Sequence, residues 1–539
     1  MRPRADAPKQ LGRRCRRVAW RAVMGPQARV QWVGPLPPRR TGIAGYCDDF
    51  LRAVDGLWDV DLFLESGSRL PKLSTIRDAG ERCPDPALPT VIHLGNSEHH
   101  ERAFQTALDL EGVIVLHDVV LHHAMLVRHL RTRSEADYWA ELRRRYGSDG
   151  VAVGEQIVAG RPVEDLQDYP LSERYIERAR MVIVHSEHAR QQVMRHVPGA
   201  KVVRVPMGVP LPAEIGRDEA RYALDIPESQ FVVASITHVN PNKRIPVVLR
   251  AIRRLATRLP ETRFIIAGSQ SDSEDMRREV RLLGLEGIVS CLGYVDAVTA
   301  RLLAAASDAC VNLRYPSTGE TSASLLRLLA SGRPVLITDD GSGSEVPSSV
   351  AVKIKPDEFE VEIIEAALFE LAGNESLRNE VGQAARAWVS REHSMGAAVD
   401  GYRHALQAAY DVELPGLPDP VVPEHLPRAK RGRLQRRRPG TIAGEVVGEA
   451  LSELGVGPDL PIVRDAAEAI HELGIERIRS RQSAGDAPCP TDRLIEKLAC
   501  PHCGGGLRPA DDELACHACG KRVRLVDGVP DFRASQGAD

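Results

Sequence analysis

A carboxylate and two small hydroxyl side chains stand at the predicted start of one helix. Glu320 is followed by Thr321 and Ser322, and then by a segment with one apolar face that ends at Gly332 and Pro334. The first N–H groups of a helix have no partner within the helix and lie at its positive end, so they favour bound anions. The segment could therefore hold a phosphate or a ribose, although an ordinary helix with a Ser or Thr cap shows the same pattern.

Two adjacent cations form a second group that could do chemistry. Lys243 and Arg244 follow a predicted strand and stand at the start of another helix. Positive charge at a helix N-terminus opposes the helix dipole, which is a local cost unless an anion lies there. Lys243 is thus a candidate for binding a diphosphate, and a solvated surface pair is the alternative.

Four cysteines near the C-terminus form the sharpest local motif. They make two Cys-x-x-Cys pairs separated by twelve residues, and the candidate metal ligands are Cys500, Cys503, Cys516 and Cys519. This spacing suits four thiolates around one structural zinc ion, and four protein ligands leave no open position for catalysis. The flanking core is small, so metal binding would contribute most of the folding free energy, on the order of 10 kcal/mol. A redox pair is the alternative use of such cysteines.

Two series of short apolar runs alternate with helical patterns and would position these residues. Apolar runs separated by helices indicate parallel strands that are buried on both faces. The predicted fold is therefore α/β, with two Rossmann-like lobes followed by a short helical region and a small zinc ribbon. Strands are predicted at 28–33, 91–94, 113–117, 181–185 and 202–205 in the first lobe, and at 231–236, 263–267, 288–291, 308–313, 334–338 and 350–354 in the second.

The predicted domain boundaries follow from the same pattern and from shifts in composition. A segment rich in proline, 206–212, suits a connection between the lobes, and a Pro-bounded basic segment suits a linker. The predicted domains are a basic tail (1–25), an N-terminal lobe (26–208), a C-terminal lobe (209–412), a basic linker (413–440), a short helical region (441–485) and a zinc ribbon (490–535).

Residues just after the predicted strands are candidates for ligand contact, because ligands of doubly wound sheets bind at the carboxyl ends of strands. His117 ends one run and could donate a hydrogen bond to a sugar hydroxyl or to developing charge. Gly42 and Gly45 precede a helix and permit close approach of a ligand to the backbone. A structural histidine and an ordinary strand-to-helix turn are the alternatives.

The composition is that of an ordinary soluble protein. Of the 539 residues, 43% are apolar and 27% are charged, and the net charge of −3 excludes a chain built throughout to coat nucleic acid. No run of eighteen apolar residues is present, and the Arg-rich start lacks the apolar core of a secretory signal. We therefore expect a cytoplasmic protein.

Six runs of the sequence resemble, in order over about residues 26 to 412, the retaining, nucleotide-sugar-dependent glycosyltransferases of family four, the group-one type with the GT-B fold. The runs are 34–46 (GPLPPRRTGIAGY), 91–96 (VIHLGN), 112–123 (GVIVLHDVVLHH), 170–193, 231–252 and 311–334. The resemblance implies a cleft in which the second lobe holds a nucleoside diphosphate sugar and the first lobe holds the acceptor. It also implies retention at the anomeric carbon and no catalytic divalent metal.

The resemblance further implies roles for single residues. Gly42 would lie near the donor diphosphate and His117 would contact the donor sugar. Lys243 matches the phosphate-binding lysine, and Glu320 matches the first carboxylate of the Glu-x7-Glu motif, beside the transferred sugar. His117, Lys243 and Glu320 are thus the expected catalytic residues, and the expected donor-binding residues are Gly42, Gly45, His238, Arg244, Thr321, Ser322 and Glu345.

Two positions depart from the family pattern. Leu328 replaces the second glutamate, a ribose acceptor, and His238 replaces an arginine near the phosphates. Loss of a charged hydrogen bond to ribose would cost about 1.5–3 kcal/mol, or roughly ten- to a hundredfold in donor affinity. Glu345 is a candidate substitute for the carboxylate, and Arg244 is a candidate for the missing cation.

The C-terminal third suggests further partners. Seven Lys and Arg residues crowd 428–438 and could meet the anionic inner face of a membrane, or RNA, with a solvated spacer as the alternative. Segment 494–532 resembles the zinc ribbons of the small activator subunit of tRNA methyltransferases, which implies a protein partner or structural support. Three acidic residues at 511–513 make nucleic acid an unexpected partner.

Two hypotheses of different classes remain. The first is a retaining glycosyltransferase with an appended zinc ribbon that has a structural or docking role. The second is a non-catalytic sugar-nucleotide-binding or scaffold protein that recruits a partner through the ribbon.

Overall fold

The structure is a computed structural model, and it describes residues 29–417 apart from 40, 132–134, 160, 162, 164, 165, 212 and 271–275, together with 507–510, 513–516, 518, 519, 522–526, 529 and 530. The predicted basic tail, the predicted helical region and the linker from residue 418 onward lie outside these residues. The described residues belong to two compact units: one holds both parallel sheets, and the other holds the C-terminal strands.

The first lobe is built on a seven-stranded parallel sheet in the order β3-β2-β1-β4-β5-β6-β7. Its strands are β1 (Arg29–Gly34), β2 (Asp59–Leu64), β3 (Ile76–Asp78), β4 (Thr90–Leu94), β5 (Val113–Leu116), β6 (Met181–Val184) and β7 (Val202–Arg204). Its helices are α1 (Gly42–Val54), α2 (Glu101–Asp109), α3 (His122–Arg131), α4 (Glu135–Val158), α5 (Glu173–Ile176) and α6 (Glu187–His196).

Strands β2 and β3 complete this sheet but are not among the predicted runs. β2 contains Asp59 and Asp61, which interrupt the apolar run that marks a buried strand. Asp61 is nevertheless buried, because its carboxylate forms a 2.5 Å ion pair with Arg29 of the neighbouring strand β1. β3 has only three residues, which is too short for a pattern of its own.

The second lobe is built on a six-stranded parallel sheet in the order β10-β9-β8-β11-β12-β13, and all six predicted runs form its strands. The strands are β8 (Phe231–Ile236), β9 (Thr262–Ala267), β10 (Val289–Gly293), β11 (Ala309–Asn312), β12 (Val335–Thr338) and β13 (Val352–Ile354). The helices that accompany them are α7 (Arg217–Ala223), α8 (Ile245–Arg258), α9 (Met276–Leu282), α10 (Ala297–Ala306), α11 (Ala323–Ala330), α12 (Glu360–Gly373) and α13 (Glu375–Glu392). The two parallel sheets confirm the predicted α/β fold with two Rossmann-like lobes.

The last helix of this region, α14 (Met395–Tyr410), follows the second lobe in sequence but packs on the first. The hydroxyl of Tyr46 in α1 donates a 3.1 Å hydrogen bond to that of Tyr402, and the ring of Tyr402 lies 4.5 Å from that of Phe50. Apolar side chains of both lobes therefore form one continuous core, which fixes the carboxyl ends of the two sheets opposite each other.

Four antiparallel strands form the separate C-terminal unit, namely β14 (Leu507–Ala510), β15 (Glu513–Cys516), β16 (Arg522–Val526) and β17 (Val529–Pro530). Within the part of the chain that the structure describes, no helix combines the length and apolar content needed to cross a bilayer.

Candidate functional site

Glu320 is held in one orientation between the two lobes. It follows β11 and precedes α11, and only 9% of its surface is exposed. One carboxylate oxygen, Oε2, accepts hydrogen bonds from the backbone N–H and the hydroxyl of Thr318, at 2.8 and 2.7 Å. The other, Oε1, accepts from Nη1 of Arg314 at 2.9 Å. Because both oxygens accept hydrogen bonds, the carboxylate is a fixed negative charge near the N-terminus of the helix.

Lys243 converges on the same carboxylate from a different strand end. It ends a short 3-10 turn, Pro241–Lys243, just before α8, and its Nζ lies 4.0 Å from Oε1 of Glu320. The ammonium is buried, with 8% of the residue exposed. The two helix starts that the sequence singled out therefore meet at one carboxylate.

Arg314 is the residue of this cluster that the sequence reasoning missed. Its Nη2 donates to the Ser322 hydroxyl at 2.6 Å, and its backbone N–H donates to the Thr338 hydroxyl at 2.9 Å. Arg314 follows β11 after one intervening residue, a strand-end position that could have marked it as a candidate.

The first turn of α11 completes the cluster. Ser322 is the N-cap: its hydroxyl accepts from the backbone N–H of Leu325 at 3.1 Å and donates to Asn312 Oδ1 at 3.2 Å. The Thr321 hydroxyl is buried without a hydrogen-bond partner among the described residues, and both side chains line a cavity of about 150 Å³ between the lobes. His185, Glu345 and His393 also line this cavity, whereas Lys243, Arg314 and Glu320 do not.

Burial and mutual charge set the protonation states of the cluster. Burial, reinforced by the positive charge of Arg314, lowers the pKa of Lys243 to about 7. Burial alone would raise the pKa of Glu320, but the Arg314 guanidinium and the Lys243 ammonium outweigh it and hold that pKa below its usual range. Glu320 is therefore ionised near neutral pH, whereas Lys243 is poised to gain or lose its proton there.

The first lobe adds a second carboxylate across the cleft. The Thr318 hydroxyl lies 3.3 Å from Oδ1 of Asp118, and Oδ2 of Asp118 accepts from the backbone N–H of Asn96 at 2.8 Å. Burial, together with the negative charge of Glu320, raises the pKa of Asp118 to about 6. Asp118 and Glu320 thus face the same lysine from opposite lobes.

Backbone hydrogen bonds hold the loop that carries Glu320 against the first lobe. The carbonyl oxygen of Thr318 accepts from the N–H groups of Val119 and Val120, both at 3.1 Å. The Gln167 side chain donates to the Ser317 carbonyl at 2.8 Å. The lobes are therefore in direct contact at the site.

His117 lies beside this contact, at the end of β5. Its Nε2 lies 2.9 Å from Nδ1 of His93, and Nδ1 of His117 has no hydrogen-bond partner among the described residues. Burial and the neighbouring His185 and His93 lower the pKa of His117 well below its usual value. The ring is therefore neutral, and it is buried against the rings of Tyr46, His93 and His185.

Gly42 and Gly45 lie in the first turn of α1, opposite α11. Thr41 caps α1 by accepting from the N–H of Ala44 at 3.0 Å. A Cβ added at Gly42 would have open space within 4 Å, and one added at Gly45 would lie 3.7 Å from Nη2 of Arg327 in α11. Gly42 is therefore exposed to open space, and Gly45 faces Arg327 in the middle of α11.

Three other predicted donor contacts are engaged elsewhere. The Arg244 guanidinium forms an ion pair with the buried Glu360 of α12, so its charge is already neutralised. Glu345 accepts from the N–H groups of Glu187 and His188 at 3.0 and 2.6 Å, and so caps α6 of the first lobe. Nδ1 of the His238 ring lies 2.9 Å from the Ser269 hydroxyl. Arg244 therefore has its counter-ion away from the cluster, whereas Glu345 also lines the cavity that Thr321 and Ser322 line, and both stay predicted donor contacts.

Leu328 is buried in the core of the second lobe, with 2% of its surface exposed. It lies on the face of α11 that packs on apolar side chains, so this position offers no hydrogen bond to a ribose. At this position, therefore, the chain has a side chain that packs in the core, where the resembled motif has a carboxylate that binds ribose.

The candidate zinc ligands are only partly described. Cys516 is buried and ends β15, and Cys519 lies exposed in the turn before β16. Cys500 and Cys503 lie outside the described residues. Among the described residues no cluster of three or more His, Cys, Asp or Glu side chains could hold a metal ion, so the zinc site stays a prediction.

Comparison with known proteins agrees with this arrangement. Residues 216–388, in the second lobe, match the family model described as Glycosyl transferases group 1. No curated protein sequence matches the chain.

Several solved structures are similar to this chain in fold. Sucrose-phosphate synthase from Thermosynechococcus elongatus has 14% sequence identity and a TM-score of 0.51, over 71% of this chain and 99% of the synthase. HepE from Anabaena, in complex with UDP and glucose, has 14% identity and a TM-score of 0.48, over 71% and 100% of the two chains. TarM from S. aureus has 14% identity and a TM-score of 0.43 over 59% of this chain, and the chain spans 55% of TarM. At this identity the similarity concerns the fold, which is GT-B.

Proposed function

We propose that this chain, a glycosyltransferase by its group-1 domain, transfers a sugar from a nucleoside diphosphate sugar to an acceptor with retention at the anomeric carbon. The observation that carries the proposal is the convergence of Lys243 and Glu320, 4.0 Å apart, at the start of α11. The resemblance of the surrounding motif supports retention.

The cluster suits the departure of a diphosphate. As the bond between the anomeric carbon and the diphosphate oxygen breaks, negative charge grows on that oxygen. An ammonium and helix N–H groups that are already in position stabilise this charge more in the transition state than in the ground state, and so lower the barrier. In this scheme Lys243 and α11 stabilise the charge, and no divalent metal is required.

Glu320 and His117 would bind the transferred sugar. Glu320 is ionised and held by Thr318, so it can accept hydrogen bonds from sugar hydroxyls. The neutral ring of His117 offers a further hydrogen bond at Nδ1. Gly42 and Gly45 would leave room for the donor and for the acceptor that the first lobe binds.

Leu328 favours a second candidate function. Without the carboxylate that the family uses for ribose, the chain could bind a sugar nucleotide weakly and act as a scaffold that recruits a partner through its zinc ribbon. Contact of the basic linker with anionic lipid and docking of a protein on the ribbon belong to either proposal.

Turnover of a panel of UDP-, GDP- and other nucleotide sugars by the full chain tests the first proposal. We expect K243A and E320Q each to abolish release of the nucleoside diphosphate while the melting temperature stays near that of the wild type. R254Q is the matched control, because Arg254 pairs with Glu362 and Glu365 of α12 and should leave turnover unchanged. Binding of a nucleotide sugar without turnover by the wild type, with E320Q binding equally well, would favour the scaffold.

A further inference from the structure

We propose that Arg314 is a donor-binding residue that binds the diphosphate together with Lys243. This inference rests on the proposed function and names a residue of that same site. It comes from the network around Glu320 rather than from the motif.

Arg314 and Lys243 approach one carboxylate oxygen from two strand ends. Nη1 of Arg314 lies 2.9 Å from Oε1 of Glu320, and Nζ of Lys243 lies 4.0 Å from the same atom. A single oxygen that faces two cations leaves each of them with donors for another acceptor. Phosphate oxygens that enter beside Glu320 would therefore find two cations already in place.

One of the remaining donors of Arg314 lacks a partner that such a ligand could supply. Nη2 donates to the Ser322 hydroxyl, which caps α11, so the guanidinium lies at the positive end of the helix. Its Nε is buried without a hydrogen-bond partner among the described residues, and a buried N–H group without a partner costs roughly 1–3 kcal/mol. An acceptor atom of a bound ligand, after a small turn of the guanidinium, would remove this cost.

Two other arginines near the cleft have different counter-ions. Arg244 pairs with Glu360, and Arg327 pairs with Asp49 at 2.7 Å on the surface. Arg314 differs because its counter-ion is the site carboxylate itself. Glu320 therefore acts on Arg314 as a positioning residue, in addition to its own contact with the sugar.

The planar guanidinium also supplies what Lys243 lacks. Arginine presents a rigid fork that matches two phosphate oxygens at once, and it keeps its charge where a buried lysine loses it. Asp118 faces Lys243 from the first lobe and offsets part of its charge. A second cation on the second lobe would restore the attraction for a diphosphate.

Calorimetric titration of the full chain with UDP and with uridine, or with whichever nucleoside diphosphate and nucleoside the wild type binds best, tests the inference. We expect R314Q to weaken UDP binding roughly ten- to a hundredfold, the effect of losing a charged hydrogen bond. Uridine, which has no phosphate, should bind R314Q as it binds the wild type. R254Q, the control, should bind both ligands normally.

R314K is a second variant for the case in which R314Q does not fold. It keeps the positive charge and removes the planar guanidinium that can bind two phosphate oxygens at once. We expect R314K to weaken UDP binding less than R314Q and to leave uridine binding unchanged, with a melting temperature near that of the wild type. An unchanged ratio of UDP to uridine affinity in the variants that fold overturns the inference. If the wild type itself binds no nucleoside diphosphate, the proposed function fails. That result differs from one in which the wild type binds UDP and the Arg314 variants bind it equally well, which overturns only the inference about Arg314.

Discussion

Lys243 is a buried cation whose charge depends on its neighbours. Burial and Arg314 disfavour its proton, whereas Glu320 and Asp118 favour it, and the balance places its pKa at about 7. A bound diphosphate would add negative charge beside the ammonium and raise this pKa again. Binding of the diphosphate should therefore be coupled to uptake of a proton.

We expect the affinity for a nucleoside diphosphate to fall as pH rises through about 7, the pKa of Lys243. Below that pH the amine is charged and attracts the ligand; above it the amine is neutral, so affinity should drop by up to about tenfold per pH unit. Calorimetric titrations with UDP from about pH 6 to about pH 8.5 measure this, with uridine as the phosphate-free control. A UDP affinity that stays constant over this range would contradict the assignment of Lys243.

The site residues that could be predicted from the sequence are those whose position relative to a strand or helix marks them. Lys243 and Glu320 stand at helix starts after strands, which is where a parallel sheet binds ligands. Arg314 also follows a strand, but its contact with Glu320 depends on the fold of the loop between them, and Arg244 pairs with Glu360, more than one hundred positions away in the chain. No spacing in the sequence predicts which of two arginines a distant glutamate will pair with.

The loop 317–320 connects the chemistry to the contact between the lobes. Gly319 in this loop has a φ of 81°, a left-handed conformation that glycine adopts without strain. Thr318 bonds to Val119 and Val120 on one side and to Glu320 on the other. A shift of this loop would therefore move Glu320 and loosen the closed cleft together.

We expect G319A to have a lower kcat/KM than G56A, although the free energies of unfolding of the two variants fall by similar amounts. An added Cβ would meet Val119 Cγ2 at 2.8 Å, and a β-branched side chain cannot easily turn away. G56A is the matched control, because Gly56 has a φ of 87° but open space within 4 Å. Both variants should lose roughly 1–2 kcal/mol to backbone strain in urea unfolding. Equal turnover by the two variants would show that the loop does not position Glu320.

We expect L328E to destabilise the chain by several kcal/mol without strengthening donor binding. The position is buried among apolar side chains, where an unpaired carboxylate has no partner. L328M, which nearly conserves volume, should cost less than about 1.5 kcal/mol. Urea unfolding and calorimetric titration with UDP measure the two effects. A stable L328E that binds UDP more tightly than the wild type would place this residue at the ribose instead.

The described residues of the chain comprise a region with the GT-B fold and a small antiparallel unit that contains Cys516 and Cys519. The strands of the second sheet were predictable because each is a continuous apolar run between helices. β2 was not predicted, because Asp61 interrupts its apolar run and is buried only through its ion pair with Arg29. The packing of α14 on the first lobe was not predictable either, because it involves Tyr46 and Tyr402, which are 356 positions apart. Contacts over such separations are set by tertiary packing, which local periodicity does not contain.

We expect the purified full chain to carry one zinc ion per molecule. Mass spectrometric metal analysis should show that C516S and C519S each lose this zinc, because a structural site needs all four thiolates. C83S is the control, since Cys83 is an exposed free cysteine of the first lobe. Retention of zinc in C516S would indicate a different set of ligands.

The most direct test of the account is a crystal structure of the chain with the nucleoside diphosphate that it binds best. The account predicts phosphate oxygens within about 3 Å of Lys243 Nζ and of the first N–H groups of α11. It also predicts that these oxygens lie in the cleft that His117 faces. A diphosphate bound away from both Lys243 and Glu320 would contradict the account.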